Sequence, residues 1–527
     1  MKNYKYIFLA SLLIAFTACN DIEDVLPFPA EVPEDLPTLT AGSADFSNYV
    51  SLGASFTAGF SDGALFRASQ ENSFPKLLSD QFALAGGGSF TQPLMEDNTG
   101  AFLGVPTSQI GYRLIFNGSG PQRLNEFFAA QGAPAPNPTT NPTTNLGSTF
   151  NNTGVPGAKS YHLTFPGYAA ANPYYARFAT SLTATMLGDA AAQNPSFFTL
   201  SEIGGNDVLS YATSGGVGVD RTGNPDATQY SQLDITDPGL FGQVFQGVIS
   251  QLTANGANGA VANLPNITDL PFFTTVPNNA LVIDAATAAN LTGFFQAVTG
   301  IFTQSLIQQG VPPANAQALA SQYAITFEEG ANRFLIDVPV SETNPLGFRQ
   351  MTEDELLLLT IDRTALAQGY GSVVLTPDVL QVLGLLRAGG TPSPEQAGLV
   401  LAAISGIDDK DALDSDELLS IKNATDAYNT TIESVANSAG LAFVDLKSVL
   451  EQAKTSGITT GDYTLTANLV TGGLVSLDGI HLTSRGYAVM ANEFLKAIDA
   501  TYGSNFEASG NLLDVGDYPT NYSPTLQ

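Results

Sequence analysis

His162 and His481 are the only histidines in 527 residues, so any acid–base chemistry near neutral pH by a side chain of ordinary pKa falls to one of them. Only His481 has a carboxylate close by on its N-terminal side, in Asp478-Gly479-Ile480-His481. A tight turn over Asp-x-x-His brings the carboxylate to Nδ1 of the imidazole, fixes the tautomer and leaves Nε2 free to take a proton from a nucleophile. A surface turn with an incidental histidine has the same four-residue pattern. The pair therefore acquires meaning only if the chain supplies a matching nucleophile and donors for an oxyanion. His162 has no paired acid and reads as a packing or surface residue, although it lies near enough to Gly157 in sequence to line the same pocket.

Ser55 is the candidate nucleophile. It follows the apolar run Tyr49–Leu52 within Leu52-Gly53-Ala54-Ser55-Phe56-Thr57-Ala58-Gly59, and a serine between small residues just past a parallel strand is exposed at the carboxyl end of the sheet. An ordinary strand-to-helix turn has the same local appearance. Asn206 ends a similar run in Ile203-Gly204-Gly205-Asn206-Asp207, where two glycines permit a tight turn that projects the Asn206 amide as a donor. Between them lies Asn152-Thr153-Gly154-Val155-Pro156-Gly157-Ala158, in which the Gly157 N–H could face the same point.

The elements that must hold these residues alternate between short apolar runs and amphipathic stretches, the pattern of βα units around a mostly parallel sheet. Strands are predicted over Tyr49–Leu52, Phe197–Ile203, Gly259–Leu264 and Leu441–Leu446, and helices over Gly239–Leu252, Glu417–Ala436 and from Ser484 through Ile498. The fold class is α/β, with large insertions at about 62–150 and 270–415. Gly132–Gly154 is a Pro/Asn/Thr loop. Ala285–Ile325 reads as two helices broken at Pro312-Pro313, the first with Leu291, Phe294, Phe295, Val298, Phe302 and Leu306 on one face. That face suits ordinary core packing or a cap over an acyl-binding groove. Asp408–Glu417 is dense in acids but lacks the glycine and spacing of an EF-hand, so it reads as a solvated turn.

The first 18 residues resemble an export signal: Lys2 and Lys5, then an apolar run from Ile7 to Phe16 that is too short to span a bilayer, then Thr17-Ala18 before Cys19. Cys19 is the sole cysteine and sits where bacterial lipoproteins carry their lipidated residue. Residues 19–45 are Pro- and acid-rich and read as a disordered tether, followed by a domain over 46–505 and a tail over 506–527. These features place the protein outside the cytoplasm, anchored through lipid at Cys19 to the outer membrane of a Gram-negative bacterium. One cysteine permits no internal disulfide. A net charge of -30 argues against nucleic acid, whose phosphates need basic partners. No pattern sets an oligomeric state.

Taken in chain order, Gly53-Ala54-Ser55-Phe56, Asn152-x-x-x-x-Gly157, Gly205-Asn206-Asp207 and Asp478-x-x-His481 resemble the four blocks of the SGNH hydrolases, also called the GDSL lipase/acylhydrolase family. Ala262-Asn263-Leu264-Pro265, Tyr428-Asn429 and Val444-Asp445-Leu446 add supporting pieces, and the resemblance spans roughly Ser47 to Tyr502. It implies Ser55 as nucleophile, His481 as general base and then acid, and Asp478 as the group that orients His481. It further implies an oxyanion hole from the Ser55 N–H, the Gly157 N–H and the Asn206 amide. The implied architecture is a three-layer α/β/α sandwich resembling flavodoxin, with no metal or other cofactor, while the many Phe residues of the insertions favour an acyl or aryl ester as substrate, an acylated glycan staying open. The chain departs from the family in having Ala54 where the Asp before the nucleophile usually stands. The alternative is a lipid-anchored glycan- or lipid-binding protein on a catalytically weak scaffold of this kind, or a carbohydrate esterase.

Overall fold

Tyr49-Val50-Ser51-Leu52-Gly53 is buried at all five positions, as a strand in the interior of a parallel sheet should be. In the computed structural model, which describes residues 36–147 and 149–526, it forms β1 (Tyr49–Gly53). Residues 1–18, Cys19 and the tether up to residue 35 lie outside the described residues. With β2 (Asn152–Gly154), β3 (Phe197–Ser201), β4 (Asn258–Ala262) and β5 (Ala442–Val444), β1 builds a five-stranded sheet in the order β5-β4-β3-β1-β2. Every pairing is parallel.

Register is what makes this sheet a platform. Gly53 lies opposite both Gly154 and Ser201, so β1, β2 and β3 end level, and the segments that leave their carboxyl ends start from one line. The approach there is close enough to require glycine: a Cβ on Gly154 would stand 2.4 Å from the Ala58 N, and one on Gly53 2.0 Å from Thr57 Oγ1.

Helices follow the strands: α1 (Ser55–Ala58), α2 (Phe74–Leu84), α3 (Met186–Ala191), α4 (Gly205–Thr213), α5 (Pro238–Leu252), α6 (Ala285–Gln308), α7 (Pro313–Ala320), α8 (Ser415–Ser438), α9 (Leu446–Thr455) and α10 (Ser484–Tyr502). Their starts carry the expected signals. Asp237 caps α5 just before Pro238, Asp414 and Glu417 form a capping box on α8, and Thr483 caps α10 through the Gly486 N–H. α10 packs on β5, β4 and α2, while α8 packs on β5, β4 and α5, and α3 on β1. Phe197, Phe198, Val261, Ala442, Phe494 and Tyr487 are among the fully buried side chains of the common core.

One of two alternatives is decided, and one expectation needs correction. The six apolar residues on one face of α6 are buried within the insertion itself, against Ala316 and Ala320 of α7, Tyr323, Val379 and Val382, so they have partners and do not cap a groove. Residues 38–45, assigned to the disordered tether, are instead docked on the end of α10. The Ser43 N–H donates to the Tyr502 carbonyl at 2.8 Å, the Thr40 N–H to Asn505 Oδ1 at 2.7 Å, and Asn505 Nδ2 to the Thr38 carbonyl at 3.1 Å. Small residues allow it: at Gly42 (φ +61°) a Cβ would fall 2.2 Å from the Tyr502 carbonyl oxygen. The tail past residue 505 is also packed, with Phe506 and Val515 buried and Arg113 Nη2 donating to the Ser523 carbonyl at 2.6 Å. Among the described residues no helix is long and apolar enough to cross a membrane.

Candidate active site

Ser55 is the first residue of α1, one residue beyond the end of β1, so its N–H has no intrahelical acceptor and donates no other bond among the described residues. The turn that presents it is held from below by a residue that sequence reasoning missed. Glu202, the first residue past β3, accepts through Oε1 from the Ala54 N–H at 2.6 Å and the Thr57 N–H at 2.9 Å, and through Oε2 from Thr57 Oγ1 at 3.2 Å. Its backbone is left-handed (φ +48°), a conformation costly for a side-chain-bearing residue that the three bonds hold in place. Burial pushes the Glu202 carboxyl up to about 7, against hydrogen bonds that favour the ionised form. Its signal in the sequence was an acid two positions after the apolar run Phe197-Phe198-Thr199-Leu200.

Asp478 and His481 meet as their spacing predicts. His481 Nδ1 lies 2.7 Å from Asp478 Oδ2, and His481 Nε2 lies 3.0 Å from Ser55 Oγ. Asp478 also accepts from the Gly63 N–H at 2.8 Å, the Ile480 and His481 N–H groups at 2.9 Å each, and Ser476 Oγ at 3.1 Å. Burial would raise its carboxyl, but the imidazole and these donors outweigh burial and hold it well below the ordinary carboxylate range. An ionised carboxylate only accepts, so Nδ1 carries the ring proton and Nε2 is the acceptor facing the Ser55 hydroxyl. The Phe60 and Phe56 rings, centred 4.5 and 5.6 Å from the imidazole, wall it in. Behind Asp478, Asp62 accepts from the Leu477 N–H at 3.1 Å, and burial, reinforced by the Asp478 charge, pushes its carboxyl up to about 7. Nothing local in the sequence pointed to Asp62, Gly63 or Ser476, which lie hundreds of residues or a turn away.

The three proposed oxyanion donors are placed unequally. Asn206, in the first turn of α4, lines the same cleft as Ser55, walled also by Phe56, Glu202, Leu264 and Ile480. One Nδ2 hydrogen of Asn206 goes to the Ala158 carbonyl at 2.9 Å, leaving the other for a ligand. Gly157 is exposed (φ +79°), three residues past β2, and its N–H donates to nothing among the described residues, but it does not line the cleft. Its loop is braced by α4: Asp207 accepts from the Ser160 N–H at 2.8 Å and Ser160 Oγ at 2.6 Å. On the opposite wall the turn carrying Pro265 is fixed by Asn429, which pairs with both the N–H and the carbonyl of Leu264, and by Asn263, whose Nδ2 donates to Asp445 at 2.7 Å.

His162 stands apart from this site. Its ring stacks on Tyr168 at 4.1 Å, its Nδ1 accepts from the Lys159 N–H at 3.0 Å, and burial together with the Lys159 charge lowers it to about 4, so it is a neutral packing residue.

Chemically, the arrangement can move a proton from Ser55 Oγ to His481 while a carbonyl oxygen is held near the Ser55 N–H and the Asn206 amide. Asn206→Ala is expected to lower kcat on a p-nitrophenyl ester about a hundredfold or more, since one oxyanion donor is typically worth about 2.7–4 kcal/mol. The lost bond to Ala158 should cost only about 1 kcal/mol of stability. A melting curve beside the kinetics separates the two effects, and an unchanged kcat would remove Asn206 from the site. Comparison with known proteins finds no family, no curated protein and no solved structure that matches this chain.

Proposed function

We propose that the protein is a serine ester hydrolase of the SGNH type. The observation that carries this reading is the continuous chain Asp478–His481–Ser55, with a contact of 2.7 Å within the Asp-x-x-His turn and one of 3.0 Å between His481 and Ser55, 426 residues apart in sequence. Ser55 Oγ attacks the acyl carbonyl as His481 Nε2 takes its proton. The developing oxyanion is met by the Ser55 N–H and Asn206, with the Gly157 N–H joining if its loop turns inward on substrate. His481 then protonates the leaving alcohol, and water, deprotonated by the same imidazole, clears the acyl-enzyme.

The sheet with α2 and α10 in one group of helices and α3, α5 and α8 in another supports a three-layer α/β/α sandwich for the scaffold. The family's missing acid before the nucleophile is answered by Glu202, which holds the Ala54 N–H from another strand end. With Cys19 lipidated, the enzyme would work at the outer membrane on acyl or aryl esters, acylated glycans included. A fluorophosphonate probe should label Ser55 covalently, located by mass spectrometry of its peptide, in wild type and not in His481→Ala. Absence of labelling at Ser55, together with no hydrolysis of short p-nitrophenyl esters, would overturn the assignment.

A further inference from the structure

We propose that Asp62 and Gly63 form a bracket that sets the position of Asp478 relative to Ser55, with Asp62 as a positioning residue for the triad. This inference rests on the ester-hydrolase reading and gives the first insertion a part in it.

Ser61-Asp62-Gly63-Ala64 is a tight hairpin turn. The Ser61 and Ala64 N–H groups each donate to the other residue's carbonyl at 3.0 Å, and Asp62 (φ +53°) and Gly63 (φ +70°) are both left-handed, as a type I′ turn requires and as Asp-Gly favours. The turn's own bonds leave the N–H groups of Asp62 and Gly63 unused. Both are spent on the segment that carries the acid. The Asp62 N–H donates to Ser476 Oγ at 3.0 Å, and that hydroxyl donates to Asp478 Oδ1 at 3.1 Å. The Gly63 N–H donates directly to Asp478 Oδ2 at 2.8 Å. In return the Leu477 N–H donates to Asp62 Oδ1 at 3.1 Å. Asp62, only 1% exposed, is therefore bonded through backbone and side chain to the residues that immediately precede Asp478.

Where the bracket sits gives it a function. Among the described residues, every other donor to Asp478 belongs to its own turn, Ser476 to His481. Gly63 alone reaches it from elsewhere, on Oδ2, the oxygen that also holds His481 Nδ1. Gly63 lies on the loop that leaves α1, and that loop is tied back by the Phe60 N–H to the Ser55 carbonyl at 2.9 Å. The triad thus closes into a ring, from Ser55 Oγ through His481 and Asp478 to Gly63 and back along the chain to Ser55. The acid is located from the nucleophile's own loop as well as through the imidazole. The first insertion holds the bracket from outside, the Leu114 N–H donating to the Asp62 carbonyl at 2.7 Å and Arg123 Nη1 to the Gly63 carbonyl at 3.2 Å.

Asp62→Ala takes the acceptor from the buried Leu477 N–H and puts alanine where the backbone is left-handed, so the bracket loosens while every group that faces substrate stays in place. On p-nitrophenyl acetate kcat should fall roughly tenfold or more with KM near the wild-type value, because a small shift of the acid is passed to the imidazole that must take the Ser55 proton. Asp62→Asn should restore most of the rate, since asparagine tolerates the left-handed region and its amide oxygen keeps the Leu477 bond. The proton on His481 Nδ1, which resonates far downfield when a carboxylate holds it, reports the same geometry without turnover. It should be sharp in wild type and Asp62→Asn, and broadened or lost in Asp62→Ala. If Asp62→Ala does not fold, Ser476→Ala, which takes the acceptor from the Asp62 N–H, should show the same lowered kcat, unchanged KM and weakened signal. A folded variant of either kind with wild-type kcat and an unchanged downfield proton, or Asp62→Asn as impaired as Asp62→Ala, would overturn the bracket and leave the hydrolase intact. A wild-type protein that neither hydrolyses the acetate ester nor takes up a fluorophosphonate at Ser55 would instead overturn the parent reading, and the downfield proton would still decide the bracket.

Discussion

Ser55→Ala and His481→Ala are each expected to lower kcat on p-nitrophenyl esters by roughly five to six orders of magnitude, and the double variant by little more than either single one. The reason is geometric. Ser55 Oγ has one strong partner, His481 Nε2 at 3.0 Å, so removing the imidazole leaves a hydroxyl with no base, and removing the hydroxyl leaves a base with nothing to activate. Asp478→Asn should cost about four orders. An amide there must turn its NH2 either towards Nδ1–H of His481 and the Gly63 N–H, which share Oδ2, or towards the Ile480 and His481 N–H groups on Oδ1, and either choice opposes donor to donor or forces the wrong imidazole tautomer. The folds of the Ser55 and His481 variants should survive, because Ser55 contributes a small side chain and the His481 ring, 12% exposed, hydrogen-bonds only Asp478 and Ser55. His162→Ala should keep turnover near wild type, its ring being engaged with Tyr161, Tyr168 and Lys159, away from Ser55 and His481. Steady-state kinetics on all five proteins with melting curves alongside decide the matter; activity in Ser55→Ala within tenfold of wild type would refute the triad.

The residues of that triad were legible because each lies in a local pattern: an acid three positions before a histidine, and a serine among small residues after an apolar run. The same held for β1, β3, β4 and β5, whose apolar runs exceed four residues or stand between clear helices. β2 was hidden. It is Asn-Thr-Gly, with no apolar residue, and it is a strand because its backbone pairs with β1 and its side chains are bound from outside, Thr153 Oγ1 to the Ser51 carbonyl at 2.7 Å and Asn152 Nδ2 to the Thr57 carbonyl at 2.8 Å. The helices around the break at Pro312-Pro313 were found, but their partners were not, since periodicity tells which face of α6 is buried and not what buries it. Glu202, Asp62 and Ser476 act through contacts between segments far apart in sequence, and a single chain read in order offers no measure of such proximity.

Glu202 gives the second large effect, and it separates positioning from catalysis. Glu202→Ala should leave the Ala54 and Thr57 N–H groups without acceptors in the interior, at about 1–3 kcal/mol each, and loosen the turn that aims Ser55. A displacement of about 1 Å at the nucleophile is enough for a hundredfold loss of kcat with KM little changed. Glu202→Gln should restore most of both, because the amide oxygen can keep accepting from the two backbone donors, whereas a group that exchanged protons with substrate would not tolerate the amide.

The two forms must then differ in their response to pH. The carboxyl is near 4.5 when solvated and about 7 when folded, so the folded state binds the proton more tightly than the unfolded one. Its contribution to stability is full below about pH 4.5, falls between there and about pH 7, and is gone above, a span worth about 3 kcal/mol by linkage. Asp62 slopes the same way, so the decisive quantity is the difference between the wild-type and Glu202→Gln unfolding curves, not the wild-type curve alone. That difference should grow in favour of Glu202→Gln from pH 5 to pH 8 and level off beyond. Parallel curves in denaturant titrations across that range, or a Glu202→Gln variant as impaired as Glu202→Ala, would show that the carboxylate does something other than hold the Ser55 turn.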